Sequence, residues 1–296
     1  PAARRGRSSI RDPIRGPAKR LCHTPEPRPR RATVRGRRPR PAETGLSAAA
    51  LQTGMRVLRG AVDDPDADRE RTAALLTDAG DGTPGLRVWA PTRQVAFGRR
   101  DAREEEFDRA ERIAVDRGFR PVERDVGGRA VAYAGDTLAF AHAIPLGEGD
   151  SAGSGTRGSI TERYDRTVEV VVGALRELGA DVVAGEPPSS FCPGDHSVRV
   201  AGGGKVSGIA QRVRADAALV AGCVVVSPTD ARAVAAVSDA VYDALGVPFD
   251  PETIGSVAAA GGPSDPTRVA RALEDAFVDG PWGDGSRRVE RIGAEG

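Results

Sequence analysis

Three short stretches carry side chains suited to chemistry as well as to packing. The stretch Gly204-Lys205-Val206-Ser207-Gly208-Ile209-Ala210-Gln211-Arg212 holds the only lysine after residue 19. Arginine supplies the positive charge everywhere else in that region. Arginine stays protonated, whereas a lysine ammonium can serve as acid, base or compact point charge. On a strand, Lys205, Ser207, Ile209 and Gln211 share one face, and Val206, Gly208, Ala210 and Arg212 share the other. The first face reads as a polar site on a sheet; the plain alternative is the solvated face of an edge strand. Ser190-Phe191-Cys192-Pro193-Gly194-Asp195 sets a cysteine before a Pro-Gly turn, where a thiolate beside a cation becomes a strong nucleophile. The commoner fate of a lone cysteine is that of a small buried apolar residue. Arg124-Asp125-Val126-Gly127-Gly128-Arg129-Ala130-Val131 places two glycines where the backbone can approach a ligand and offer N–H donors. It matches neither a Walker nor a dinucleotide fingerprint, and alone it reads as an ordinary bend.

The elements around these stretches mix helices and hairpins. Asp64 caps a helix with Pro65 in its first turn. Residues 86–89 and 94–97 read as a strand pair. Asp101 caps an acidic-first helix to about residue 116. Residues 119–124 form a strand, and 130–133 with 137–144 form a hairpin around Ala134-Gly135-Asp136. Residues 147–158 make a Gly/Ser-rich loop of the length of an active-site cover. Residues 160–178 show helical spacing. A strand at 181–184 precedes the cysteine turn. Strands at 197–201, 205–213 and 217–226 follow, and then helices at 230–245 and 266–278. Without regular βαβ alternation, the expected fold is α+β: a mixed, largely antiparallel sheet flanked by helices.

Charge divides the chain. It has 43 Lys+Arg and 42 Asp+Glu; residues 1–54 hold 14 and 3 of these, leaving 29 and 39 in residues 55–296. The first segment is Arg/Pro-rich and lacks hydrophobic periodicity. We read it as a disordered basic segment outside the native protein, with Met55, the only methionine, as the start. A nucleic-acid arm or a transit peptide are the competing readings. The catalytic body is placed at 55–280 and a flexible tail at 281–296. The acidic, lysine-poor body fits a halophilic protein working at high salt; GC-rich codon usage gives the same bias. Cys22, Cys192 and Cys223 form neither a disulfide framework nor a zinc spacing. No metal site is expected. With no secretory signal and no apolar run of about 20 residues, a cytoplasmic setting follows. His142, in an apolar strand, reads as packed, and Cys223 as core. His196, near Cys192, is a candidate for proton transfer.

Taken in order, the three stretches resemble the lipoate–protein ligase and octanoyltransferase superfamily, over roughly residues 86–227. Its most specific element here is Lys205-x-x-Gly208-x-Ala210-Gln211-Arg212. The resemblance implies a biotin/lipoate ligase-like catalytic domain that places an octanoyl or lipoyl group on a lysine of a lipoyl carrier domain. That carrier would be a glycine-cleavage H protein or the E2 component of a 2-oxoacid dehydrogenase. Neither nucleic acid nor membrane is implied, and an accessory subunit is a further option. Lys205 matches the lysine that contacts the acyl carboxyl. Gly127 and Gly128 fall on the glycine loop of the acyl tunnel, and Arg124 on the second arginine of that motif. Arg129, Ala130, Ser207, Gly208 and Gln211 complete the implied acyl- or adenylate-binding set.

The leading expectation is a ligase that uses ATP and magnesium to form an acyl-adenylate gripped by Lys205. The alternative needs no cofactor: Cys192, in a Cys-Pro-Gly segment like that of the amidotransferase branch, takes the acyl group as a thioester. A non-catalytic module of the same fold is the third reading. Several departures from the ligase pattern favour the transferase. Glu123 replaces the first arginine, and His196-Ser197 stand where ligases carry Asn-Asp, with Asp195 as a substitute carboxylate. Val220-Ala221-Gly222-Cys223 stands for the ligases' His-His-Gly. Val131, Leu138 and Phe140 are the expected walls of an acyl slot.

Overall fold

The computed structural model describes residues 54–124, 128–147 and 158–292. The readings made of residues 1–53, Gly127 and residues 148–157 lie outside the described residues. The chain runs β1 (Met55–Arg59), α1 (Pro65–Gly80), β2 (Gly85–Trp89), β3 (Gln94–Phe97), a 3-10 turn (Asp101–Arg103), α2 (Phe107–Asp116), β4 (Arg120–Glu123), β5 (Val131–Tyr133) and β6 (Leu138–Pro145). It continues as α3 (Ile160–Glu177), β7 (Val182–Ala184), β8 (Ser197–Val200), β9 (Lys205–Val213), β10 (Ala217–Val224), α4 (Pro228–Ala244), α5 (Pro266–Val278) and β11 (Arg287–Arg291).

The large sheet has the order β11-β1-β2-β6-β10-β9-β8-β7, and a small one runs β4-β3-β5. Among the described residues, only the β11–β1 and β1–β2 ladders are parallel in the large sheet. This is the α+β layout expected. One face of the large sheet meets α3 and α5 in a core of Val171, Leu175, Phe140, Leu273 and Phe277. The small sheet packs with α2 and α4 through Phe97, Phe119, Val237 and Val241. Local chemistry fixes the helix ends. Asp64 accepts from the Asp66 and Ala67 N–H groups with Pro65 at the first turn, and Ser159 with Glu162 forms a reciprocal capping box on α3. Among the described residues no helix is long and apolar enough to cross a membrane.

Four expectations need correction. β2 and β3 do not pair: β2 joins β1 and β6, while β3 joins β4 and β5. The link Ala90-Pro91-Thr92-Arg93 carries the chain between sheets, and proline there cannot extend a ladder. Nor do β5 and β6 form a hairpin, since each lies in a different sheet. Their turn docks instead on α4, where Asp230 accepts from Asp136 N–H at 3.1 Å. Asp101 does not open a long helix. Its side chain is fully buried, accepts from Gly98 N–H at 2.8 Å and pairs with Arg129 at 3.3 Å. Finally, residues 287–291 of the tail expected to be flexible form edge strand β11. Arg287 pairs with Glu274 at 2.9 Å and Asp275 at 2.6 Å. Its run of charged residues gave no apolar pattern from which a strand could be read.

Candidate active site

Cys192 stands on the irregular segment between β7 and β8, in the left-handed region with φ +42°. A non-glycine residue there is costly unless its surroundings hold it. Several groups do so. The Cys192 N–H donates to the Tyr242 hydroxyl at 2.5 Å, and that hydroxyl donates to the Ala130 carbonyl at 2.8 Å. The Lys205 ammonium donates to the carbonyls of Phe191 and Cys192, both at 2.9 Å. It also meets Glu186 Oε2 at 2.9 Å and lies 4.9 Å from the Phe191 ring centre. Glu186 in turn accepts a short hydrogen bond from Ser190. Lys205 is fully buried, so the ammonium acts as a clasp on the two peptide groups that present the sulfur.

The sulfur itself faces a cation. Arg124 Nη2 lies 3.4 Å from Cys192 Sγ and donates to the Arg129 carbonyl at 2.6 Å. Burial works against the Arg124 charge, but Cys192 leads the groups that more than offset it and raise the guanidinium above its ordinary value. Gly128 closes the arrangement from the other side, with φ +107°. A Cβ there would stand 2.7 Å from the Cys192 sulfur and 3.1 Å from Arg124 Nη2, so only glycine lets this backbone approach the thiol.

Two cavities meet at Cys192. One is an apolar slot of about 140 Å³, walled by Trp89, Val131, Phe140, Ile209, Leu219 and Ala221, with Arg124 and Cys192 among its few polar groups. The other is an outer opening of about 250 Å³ that includes Gly128, Tyr164, Cys192, His196 and Gln211. Gly222 shapes the slot: a Cβ on it would lie 2.5 Å from the Phe140 ring and 2.6 Å from the Gly208 carbonyl. Burial pushes the Tyr133 hydroxyl and the Cys223 thiol up, so both groups on the slot wall stay protonated.

The fold has known counterparts. Residues 67–277 match the model of the lipoyl protein ligase A/B catalytic domain. The chain belongs to that family. Similar curated proteins are the octanoyl-[GcvH]:protein N-octanoyltransferases of Exiguobacterium sp., 32% identical over 127 residues (43% of this chain, 42% of the relative), and of Oceanobacillus iheyensis, 29% identical over 141 residues (48% and 47%). The matched stretches thus span less than half of each relative. Among solved structures, lipoate-protein ligase A bound with ATP superposes with a TM-score of 0.61 at 23% identity, covering 82% of this chain and 90% of that one. A bi-partite lipoate protein ligase from Thermoplasma acidophilum gives 0.57 at 20% identity, covering 82% and 88%.

Against the lipoyl ligase family pattern, the sequence-derived residues divide into groups. Cys192, Arg124, Gly128 and Gly208 meet around the slot and its opening. Gln211 lines the opening, accepts from Arg163 at 3.1 Å and donates to the Ile160 carbonyl at 2.7 Å. Lys205 and Ser207 are fully buried rather than on a polar sheet face, because the cysteine segment and residues 254–255 cover the start of β9. Arg129 turns away to Glu104 at 2.5 Å and Asp101 at 3.3 Å. Ala130 is buried and contributes its carbonyl to Tyr242. Of the expected slot walls, Val131 and Phe140 line it, while Leu138 packs in the main core. His142 is packed between Phe277 and Trp282, with ring centres 5.3 and 5.9 Å away.

Sequence reasoning missed Glu186 and Tyr242. The carboxylate that meets Lys205 is Glu186 and not Asp195, which lines the outer opening. The acid lies 19 residues before the lysine in a stretch without periodicity, so nothing local marks it. Tyr242 sits on the apolar face of α4 and reads as core; a buried tyrosine hydroxyl that needs a partner was the available signal.

Proposed function

We propose that this chain moves an octanoyl or lipoyl group onto a lysine of a lipoyl carrier domain through a thioester on Cys192. The observation that carries the reading is the position of Cys192. Its sulfur lies where an apolar slot meets an outer opening, and Arg124 Nη2 is 3.4 Å away. A sulfur presented to a cation, beside room for an alkyl chain, is the arrangement an acyl-thioester site needs.

In the first half-reaction Cys192 Sγ attacks the carbonyl carbon of a carrier-bound acyl group. The bond to the donor breaks and the acyl chain occupies the slot, where each buried CH₂ contributes about 0.8 kcal/mol. In the second half an acceptor lysine enters by the outer opening, its nitrogen attacks the thioester, and the C–S bond breaks. Arg124 stands beside the charge that develops on sulfur before attack and after release. Lys205 holds the turn through the Phe191 and Cys192 carbonyls; it positions the nucleophile and does not touch the acyl group.

The ATP-dependent reading fits these residues less well. The two cations expected to grip an adenylate are engaged within the protein, Lys205 with Glu186 and Arg129 with Asp101 and Glu104. The relatives are octanoyl-[GcvH]:protein N-octanoyltransferases, which supports the transfer reading and the H-protein or E2 carrier as partner. The test is to incubate the protein with an octanoylated carrier and an acceptor lipoyl domain without ATP. Octanoyl should appear on the acceptor, and Cys192→Ala should abolish its appearance. Pyrophosphate release from octanoate and ATP that survives Cys192→Ala would establish the ligase instead.

A further inference from the structure

The outer opening carries one imidazole. His196 lies on the same segment as the cysteine and lines the opening with Cys192, Gly194 and Gln211. Its ring stacks on Tyr164 of α3, with centres 4.0 Å apart and planes 15° from parallel. Its Nε2 lies 3.7 Å from Asp165 Oδ1. The Tyr164 hydroxyl accepts from the Gln211 N–H at 3.1 Å, so the shelf beneath the imidazole is tied to β9. Among the described residues no hydrogen-bond partner holds His196 Nδ1. The ionisable groups facing the ring are Asp165 from α3, Asp195 and Cys192 on its own segment, and Arg100 from the turn after β3; β9 presents only Ile209, Ala210 and Gln211.

An amine acceptor creates a need for such a group. A lysine has an ordinary pKa of about 10.4, so at pH 7 roughly one amine in 2,500 is free to attack. We infer, on the basis of the transfer reading above, that His196 takes the proton from the incoming lysine. The ammonium gives its first proton to the imidazole, and Asp165 lies beside the imidazolium that forms. The nitrogen then attacks the Cys192 thioester carbonyl and a C–N bond forms. The C–S bond breaks, and the second proton passes from the tetrahedral adduct to the departing sulfur, restoring the thiol. With an N-acyl-lysine donor the same proton runs backwards in the loading half, from His196 to the leaving amine.

The experiment separates loading from transfer. p-Nitrophenyl octanoate loads Cys192 with a leaving group that departs without a proton, and a lipoyl domain is then added. The Cys192 adduct is followed by intact mass from pH 6 to 9.5. His196→Gln should load at the wild-type rate and transfer about 100-fold more slowly at pH 7, within the usual range for general base catalysis. The deficit should narrow as pH rises, because free amine then forms unaided. Asp165→Asn, at an exposed position whose change spares the fold, should slow transfer a few-fold at pH 7 and leave loading alone. Transfer by His196→Gln at the wild-type rate overturns the inference. So does a deficit that is constant across pH, or an equal loss of loading. If wild-type protein loads no acyl group, the transfer reading falls and takes this inference with it. If wild-type protein loads and transfers while His196→Gln does the same, only the inference falls.

Discussion

Buried Lys205 pairs with the partly exposed Glu186, with Nζ 2.9 Å from Oε2, and the same ammonium binds the carbonyls of Phe191 and Cys192. The lysine is fully buried. Its charge therefore serves the geometry of the cysteine turn. This relationship makes the lysine and the nucleophile one unit and leads to the first prediction.

Removing the lysine leaves the Phe191 and Cys192 carbonyls without its ammonium, which costs about 1–3 kcal/mol. Lys205→Met alone should lower the denaturation midpoint and slow Cys192 acylation. The double variant Lys205→Met/Glu186→Gln should recover part of the stability and little of the acylation, because the carbonyl clasp is still absent. A double-mutant cycle in urea, run beside acylation rates, measures both. Full recovery of acylation in the double variant would contradict the clasp.

Gly128→Ala tests the approach of the glycine loop to the thiol. The φ of +107° strains any side chain, and the new Cβ would meet the sulfur at 2.7 Å. Expected are a loss of about 1–3 kcal/mol in stability and at least a tenfold fall in acylation rate, read by thermal unfolding and by mass.

Tyr242→Phe removes the hydroxyl that joins the Cys192 N–H to the Ala130 carbonyl. A buried unsatisfied group costs about 1–3 kcal/mol. The variant should be destabilised by that amount and should acylate more slowly. A stable variant with unchanged acylation would show that the hydroxyl does not hold the turn.

At the sheet edge, buried Glu274 accepts from Arg59, Arg271 and Arg287. Burial favours its neutral form, but hydrogen bonds from Arg59 and Arg287 outweigh that and hold its carboxyl below the ordinary 4.5. The stabilisation that the ionised Glu274 contributes is therefore complete above pH 4.5 and fades as pH falls through the lower folded value. Urea midpoints of wild type and Glu274→Gln should differ clearly at pH 7 and converge as the solution is acidified. A difference that stays constant into acid would contradict the assignment.

How much of this could be read from sequence depended on whether partners were neighbours in the chain. Lys205, Gly208 and Gln211 lie on one strand and announced themselves as a motif. The helix start at Pro65 followed from the Asp64 cap beside it, and the start at Ile160 from helical spacing. Contacts between distant segments were invisible: Arg124 reaches Cys192 across 68 residues and Cys192 reaches Tyr242 across 50. The same limit misled the strand pairings. Adjacent strands β2 and β3 part at a proline-containing link that carries the chain into a second sheet. The pairing of Arg129 was illegible for a related reason, because its carboxylate partners Asp101 and Glu104 lie 28 and 25 residues before it.

Transfer through Cys192 requires a covalent acyl group on its sulfur. The most direct measurement is the intact mass of protein mixed with an octanoylated carrier, without ATP, and quenched in acid. Wild type should carry an octanoyl adduct that hydroxylamine removes and that Cys192→Ala never forms. No adduct on Cys192, together with octanoyl-adenylate made from octanoate and ATP at equal rates by both proteins, would contradict it.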